Sequence, residues 1–359
     1  MKKTCRQGIL KTLFIAAAAL MITGCAASPS AGRFPAVGSQ REEQLPRWYL
    51  HPQSLYPEGS YLSAAGAGNT RREAEDQALA GLAQIFEADI QVDYAMQERY
   101  REFIGVQEAY TEQDIELAQT TQVRSGQRLM NVQFSEAARD DSGQVYIIAY
   151  IERIPTGRLY RDLIDKNNSQ ILQLVRAADA AVGPIQEYAY VNAASVVAAS
   201  NDALYHQLRI LAPQLAQPLG VPYDYQQLKI RRSQIASRMN VSVDIDGDRN
   251  GWVHSAVAKI ITDMQFPVTE AEPVMRIIGD FQLEPVSLSS DFKTVRWVLT
   301  LDVTGANGSS VIRYADHGRA SGITEDAAAA FAFRDIEASL KQQFIPGVTG
   351  YFDGIVLGK

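Results

Sequence analysis

Cysteine is nearly absent from this chain. Its 359 residues carry two, Cys5 and Cys25, both near the amino end. Beyond them no disulfide and no thiolate metal site can form, so a folded body must rest on buried apolar cores. Histidine is scarce as well: His51, His206, His254 and His317 are the whole set, and no H-E-x-x-H pattern occurs. A zinc site needs three or four convergent ligands, so ordinary surface or partly buried histidines are expected. His254 near Asp246 and Asp248 is the one pair to examine. After Ile22 no apolar run approaches the ~20 residues that span a bilayer. A basic excess is missing too, since 34 Lys+Arg face 41 Asp+Glu for a formal net charge of −7. That balance argues against nucleic acid and against basic-patch binding to anionic lipid.

What is present begins at the amino end. Lys2, Lys3, Arg6 and Lys11 come without an acid, ten apolar or small residues run from Leu13 to Ile22, and Thr23-Gly24-Cys25 follows. A basic start, a short apolar run and a small-residue exit make an export signal. The segment resembles the bacterial lipobox, with Ile22 where leucine is commoner, and the Cys25 thiol would take a diacylglyceryl group. The expectation is a signal peptide over 1–24 and a mature chain that starts at lipidated Cys25. Loss of the four basic residues would bring its net charge to −11. One acyl chain binds marginally, at ~0.8 kcal/mol per buried methylene, so stable anchoring takes two or more chains, palmitate among them. Ala26 is not the aspartate that holds some lipoproteins in the inner membrane, which points to the outer membrane.

From Ala26 to Gln44 the chain is small, polar and aperiodic, so 25–45 reads as a flexible tether. Order is expected from Pro46-Arg47-Trp48. Tyr61 to Gly68 reads as a small-residue strand, and Thr70-Arg71-Arg72-Glu73 has capping-box spacing. Ala74, Ala78, Leu82 and Ile85 give one apolar helix face. Ile90–Tyr94, Leu129–Phe134 and Val145–Ile151 read as strands, with Ser142-Gly143 turning the last pair. A long helix carrying Leu159 to Ala178 and a second from Gln186 to Leu211, broken at Gly183-Pro184, predict an antiparallel hairpin whose apolar faces bury within the chain. A short helix is expected within Tyr223–Met239. Val241–Ile245, a helix from Trp252 to Met264, strands Met275–Val286, Val295–Val303 and Val311–Ala320, and a final helix opened by Thr324 complete the pattern. On that helix Ala328, Phe331, Ile336 and Leu340 are expected to face the sheet. The fold class is α+β: two small antiparallel sheet-plus-helix domains, 46–155 and 240–359, joined by a helical hairpin at 156–239.

Pro46-Arg47-Trp48, the Ala64-to-Gly68 turn, the alanine-spaced helix and the strand ending Ala149-Tyr150-Ile151-Glu152-Arg153 resemble the LPP-twenty lipoprotein family. The resemblance covers roughly residues 46 to 155. It implies an envelope role, in some members flagellum-associated, and brings no catalytic residue with it. The layout of residues 240–359 also resembles small periplasmic domains of envelope-assembly lipoproteins.

Three features invite sharper chemistry. Asp246-Gly247-Asp248-Arg249-Asn250-Gly251 matches the first half of a calcium loop, but Val257 stands where the bidentate Glu belongs, which favours a strand-to-helix turn. Gly66-Ala67-Gly68-Asn69-Thr70 follows a strand and opens a helix like a dinucleotide fingerprint, but Arg71 replaces the third glycine, which favours tight helix-on-sheet packing. Serine, histidine and aspartate are present, yet no G-x-S-x-G elbow and no S-x-x-K pairing to a known set stands out. The chain is therefore expected to be a non-enzymatic outer-envelope lipoprotein with structural or assembly duties, without cofactor or metal. Its expected partners are the membrane, through the acyl chains, other envelope proteins, and further copies of itself; nucleic acid is not among them. The alternatives are a binding module for a cell-wall or lipid ligand and, behind it, an envelope hydrolase.

Overall fold

The computed structural model describes residues 45–87, 94–108, 120–122, 128–287, 291–305 and 308–358. A one-turn helix α1 (Arg47–Leu50) leads to strand β1 (Tyr61–Gly68) and helix α2 (Arg71–Glu87). Thr70 caps α2 by accepting from the Glu73 N–H at 3.2 Å. The Glu73 carboxylate reaches back one residue further than a capping box requires, to the Asn69 N–H at 2.8 Å. Gly66 explains how closely α2 lies on β1: a Cβ there would sit 2.1 Å from the Ala74 carbonyl oxygen and 2.4 Å from the Ala78 nitrogen. Only glycine permits that backbone approach.

Helix α3 (Tyr94–Glu108) follows, so Tyr94 starts a helix where a strand is expected; residues 90–93 lie outside the described residues. The expected strand over Leu129–Phe134 is two pieces. β3 (Arg128–Met130) pairs with β2 (Thr120–Gln122), while β4 (Gln133–Phe134) joins β6 (Val145–Glu152), as does β5 (Ala138–Arg139). Asn131, with φ of 55°, turns the chain between them. The first sheet thus runs β1-β6-β4 and is antiparallel. Its inner face carries Leu62, Ala149 and Ile151, buried against Ala78, Leu82 and Phe86 of α2. Its outer face is met by α1 and the residues after it, with Tyr49 on Tyr146 (ring centroids 4.6 Å apart) and Tyr56 on Tyr150 (4.4 Å).

The hairpin is α4 (Arg153–Asp179) and α5 (Pro184–Leu211), turned at Gly183 with φ of 94°. Its open end, with Tyr160, Ile164, Leu208 and Leu211, packs into the core of the first sheet. Its middle holds Phe103 of α3. Its turn end, with Ala178, Tyr188, Ala189 and Val191, belongs to the core of the second sheet. The apolar faces bury internally, as the periodicity predicts. A short α6 (Pro213–Ala216) and α7 (Tyr225–Ala236), capped by Asp224, flank the hairpin.

The second sheet has the order β10-β9-β8-β7. β7 (Val241–Asp246) crosses through α8 (Trp252–Asp263) to pair parallel with β8 (Met275–Val286), so this sheet is mixed; β8, β9 (Lys293–Gly305) and β10 (Ser310–Gly322) are antiparallel. α9 (Glu325–Ser339) buries Ala328, Ala332 and Ile336 on it. Phe331 is instead 42% exposed, its ring beneath the Arg334 guanidinium at 4.4 Å. A π-turn over Leu340–Phe344 carries the chain into a helix absent from the sequence expectation, α10 (Ile345–Val356).

The two sheets reuse one device. Gly68, Thr70, Ala74, Ala78, Leu82 and Phe86 recur at identical spacing as Gly322, Thr324, Ala328, Ala332, Ile336 and Leu340. Both threonines cap, and all eight helical-face residues are buried. A Cβ on Gly322 would lie 2.5 Å from the Ala328 nitrogen, so the close strand–helix contact recurs too. The strand order differs, because the partner of β1 follows its helix whereas the partner of β10 precedes it. Residues 45–359 form one compact unit.

Candidate functional site

Cys25, the expected lipidation site, lies outside the described residues. The Asp246–Gly251 turn uses its oxygens on its own backbone: Asp246 Oδ1 accepts from Gly247, and Asp248 accepts from the N–H groups of Trp252 (3.1 Å) and His254 (2.8 Å). Asp248 therefore caps α8, and it meets His254 through the main chain rather than the imidazole. Gly247 abuts the Phe281 carbonyl, where a Cβ would fall 2.0 Å away. Among the described residues no group of three or more His, Cys, Asp or Glu is placed to hold a metal. The Gly66–Thr70 turn is likewise spent on itself, with the Ala67 N–H donated to Gln77 Oε1 at 2.7 Å. That leaves the amide cradle a phosphate requires already filled.

Acids and hydroxyls gather at several places, Asp140 with Ser142 and Tyr146 and Asp302 with Ser310 among them, and most extensively on β10. On the helix side of β10, Ser339 Oγ donates to Asp316 and accepts from the Tyr314 hydroxyl at 2.8 Å and from Gln343 at 3.3 Å. Burial pushes the Tyr314 phenol above its ordinary range, with Ser339 opposing. His317, the next residue along, points to the opposite, exposed face because strand side chains alternate. The cluster ties the edge strand to the π-turn, with His317 on the other face of the strand.

A concave surface lies on α5. Asn201, Asp202, Tyr205, His206 and Arg209 recur at helical spacing along one stripe. Two cavities of about 410 and 480 Å³ meet at Tyr205. Tyr223, Asp224 and Tyr225 wall the first, and Pro213, Ala216 and Gln217 wall the second. The floor is a buried amide network. Asn201 donates to Asn168 at 2.9 Å and to the Tyr223 hydroxyl at 3.1 Å, and accepts from Asn167 at 3.3 Å. Desolvation raises the Tyr223 phenol to about 12, so it is neutral. Asp224 Oδ1 is engaged by the Gln226 and Gln227 N–H groups as the α7 cap. His206 stands 3.9 Å from Asp202. Sequence reading misses this groove because its walls come from α4, α5, α6 and the segment before α7. Only the Asn201–Arg209 stripe on a single helix was available as a signal.

No protein-family model and no curated protein matches the chain. Among solved structures, a secreted protein of Helicobacter pylori aligns over 80% of this chain and 99% of its own at 13% identity, with a TM-score of 0.41. A minor lipoprotein of Acinetobacter baumannii aligns over 31% of this chain and 93% of its own at 10% identity, with a TM-score of 0.25. Among the described residues no helix is long and apolar enough to cross a membrane.

Proposed function

We propose that the chain is a lipid-anchored lipoprotein of the bacterial outer envelope, related through residues 46–155 to the LPP-twenty family, and that it acts as a structural or assembly protein rather than a catalyst. The observation that carries this reading is the order of chemistry at the amino end: basic residues, a short apolar run, Thr23-Gly24, then Cys25. Export is compatible with a body held by apolar cores and ion pairs instead of disulfides. Arg99 of α3, for example, grips both oxygens of the buried Asp353 carboxylate at 2.5 and 2.6 Å. Envelope proteins and further copies of the chain are its proposed partners. The groove on α5 is the observation that favours the second reading, a binding module.

The test is mass spectrometry of the mature amino terminus together with membrane fractionation of Cys25→Ser. Acylation of Cys25 and release of the serine variant into the soluble fraction are expected. A free thiol at Cys25, or a serine variant that still sediments with membranes, overturns the proposal.

A further inference from the structure

We infer that the groove along α5 is a binding site for a neutral glycan chain. The stripe from Asn201 to Arg209 extends about 12 Å at 1.5 Å per residue, room for about two or three pyranose rings. Its walls offer what a sugar needs. The rings of Tyr205 and Tyr223 line the groove beside Tyr225, whose own ring lies under the Lys229 ammonium at 4.7 Å, and rigidly held polar groups stand beside them to pair with hydroxyls.

Each polar group is oriented before any ligand arrives. Asn201 is 2% exposed and fixed by Asn167 and Asn168. Tyr223 accepts from Asn201 and, as a neutral phenol, keeps its own proton to donate. Asp224 is held as a helix cap through Oδ1, which leaves Oδ2 as an acceptor. Preorganisation of this kind lowers the cost of binding.

The charges select among ligand classes. Asp202 and Asp224 line one cavity, and Arg209 and His206 line the other. The two carboxylates are balanced by Arg209 and by the Lys229 ammonium over the Tyr225 ring, so the groove offers no net charge of either sign to a polyion. An acyl chain would find Ile164, Val221 and Ile210 on the walls but would strip water from the Asp202 and Asp224 carboxylates without replacing its hydrogen bonds. A hydroxyl-rich, uncharged chain satisfies both constraints. This inference stands on the groove alone and does not need Cys25 to be acylated.

The test uses the full-length protein in detergent micelles, titrated calorimetrically with chitotetraose. Saturable binding in the range from about 10 µM to 1 mM is expected, ordinary for a shallow site without metal or covalent chemistry. Asp202→Asn, at an exposed side chain that the fold does not need, should weaken it about fivefold, the worth of one charge-assisted hydrogen bond reduced to a neutral one. Tyr205→Ala should weaken it at least about tenfold through loss of the shared ring. Asp280→Asn on the second sheet should leave it unchanged, and Cys25→Ser should bind as tightly as wild type even if anchoring is lost. Absence of saturation, tighter binding of a polyphosphate or a peptide than of the sugar, or an Asp202→Asn protein that binds within about twofold of wild type would overturn the assignment.

Discussion

Arg153 sits where β6 becomes α4, and its guanidinium holds four backbone carbonyls from two other parts of the chain. Nε donates to Glu58 at 2.7 Å and to Tyr61 at 3.2 Å, and Nη1 donates to Ile210 at 3.0 Å and Leu211 at 2.9 Å. The last two are C-terminal carbonyls of α5, which have no partner within their own helix and carry the negative end of its dipole. One side chain thus fastens the entry to the first sheet to the open end of the hairpin. Arg153→Met keeps much of the aliphatic stem and removes every one of those bonds. Hydrogen bonds from a charged donor are worth ~1.5–3 kcal/mol each when buried, but water can reach part of this site, so a total of about 2–4 kcal/mol is expected. For a body of this size that corresponds to a fall of about 4–8 °C in melting midpoint, measured by circular dichroism on the full chain in detergent. Arg153→Lys should recover less than half of it, because a single ammonium cannot reach both carbonyl pairs. A methionine variant that melts within about 1 °C of wild type would refute the idea that this guanidinium joins sheet to hairpin.

Gly66→Ala should cost more than about 3 kcal/mol, since the added carbon meets backbone atoms of Ala74 and Ala78 that cannot rotate away, whereas Gly59→Ala, with nothing within 4 Å, should be neutral; urea midpoints compare the two. Trp297 buries an indole N–H with no hydrogen-bond partner, its ring stacked over Gly318. Trp297→Phe should therefore cost less than about 1 kcal/mol despite the lost area, and a loss above about 3 kcal/mol in the same urea titration would show that the N–H is satisfied. The Tyr223 phenol, raised from 10.0 to about 12, binds its proton more tightly folded than unfolded. Its contribution is thus complete below pH 10 and is lost as pH rises toward 12, and Tyr223→Phe should flatten the fall in melting midpoint across that window.

The features legible in the sequence are those set by neighbours a few residues away. Thr70 and Thr324 announce helix starts through their own hydroxyls, and the hairpin turn follows from Gly183 and Pro184, whose dihedrals the local chain fixes. The misreadings have equally local reasons. Asn131 adopts a left-handed φ that few residues reach, so an alternating pattern splits into two strands in different sheets. Pro346, Gly347 and Gly350 look like breakers, yet the proline occupies the first turn of α10, where its missing N–H costs nothing. Phe331 has the spacing of a core residue but finds its partner in Arg334 on the exposed side. The amide floor of the groove was illegible for another reason. Asn167, Asn168 and Asn201 are polar residues on apolar helices, and they explain one another only after the hairpin closes and brings them together.

If Cys25 is acylated as proposed, any pull from the membrane enters the body at Leu45, and the contacts dictate where it goes. Tyr49 and Tyr56 lie against Tyr146 and Tyr150 on the outer face of the first sheet, so those ring contacts bear load first. Behind them β1 pairs antiparallel with β6 in a register that sets Tyr61 opposite Glu152, so load that enters at Tyr61 and leaves at Arg153 pulls on one end of the ladder and meets its pairs one at a time. From β6 the path runs through Arg153 into α4 and the carbonyls of α5. The second sheet hangs from the far end of the hairpin, with its core shared at Ala178, Tyr188 and Val191, and lies beyond that path. The α5 groove borders the loaded end, but its floor of paired asparagines crosses from one hairpin helix to the other. Tension that separated α4 from α5 would open that floor, so a glycan held there would oppose the separation by binding only the closed hairpin.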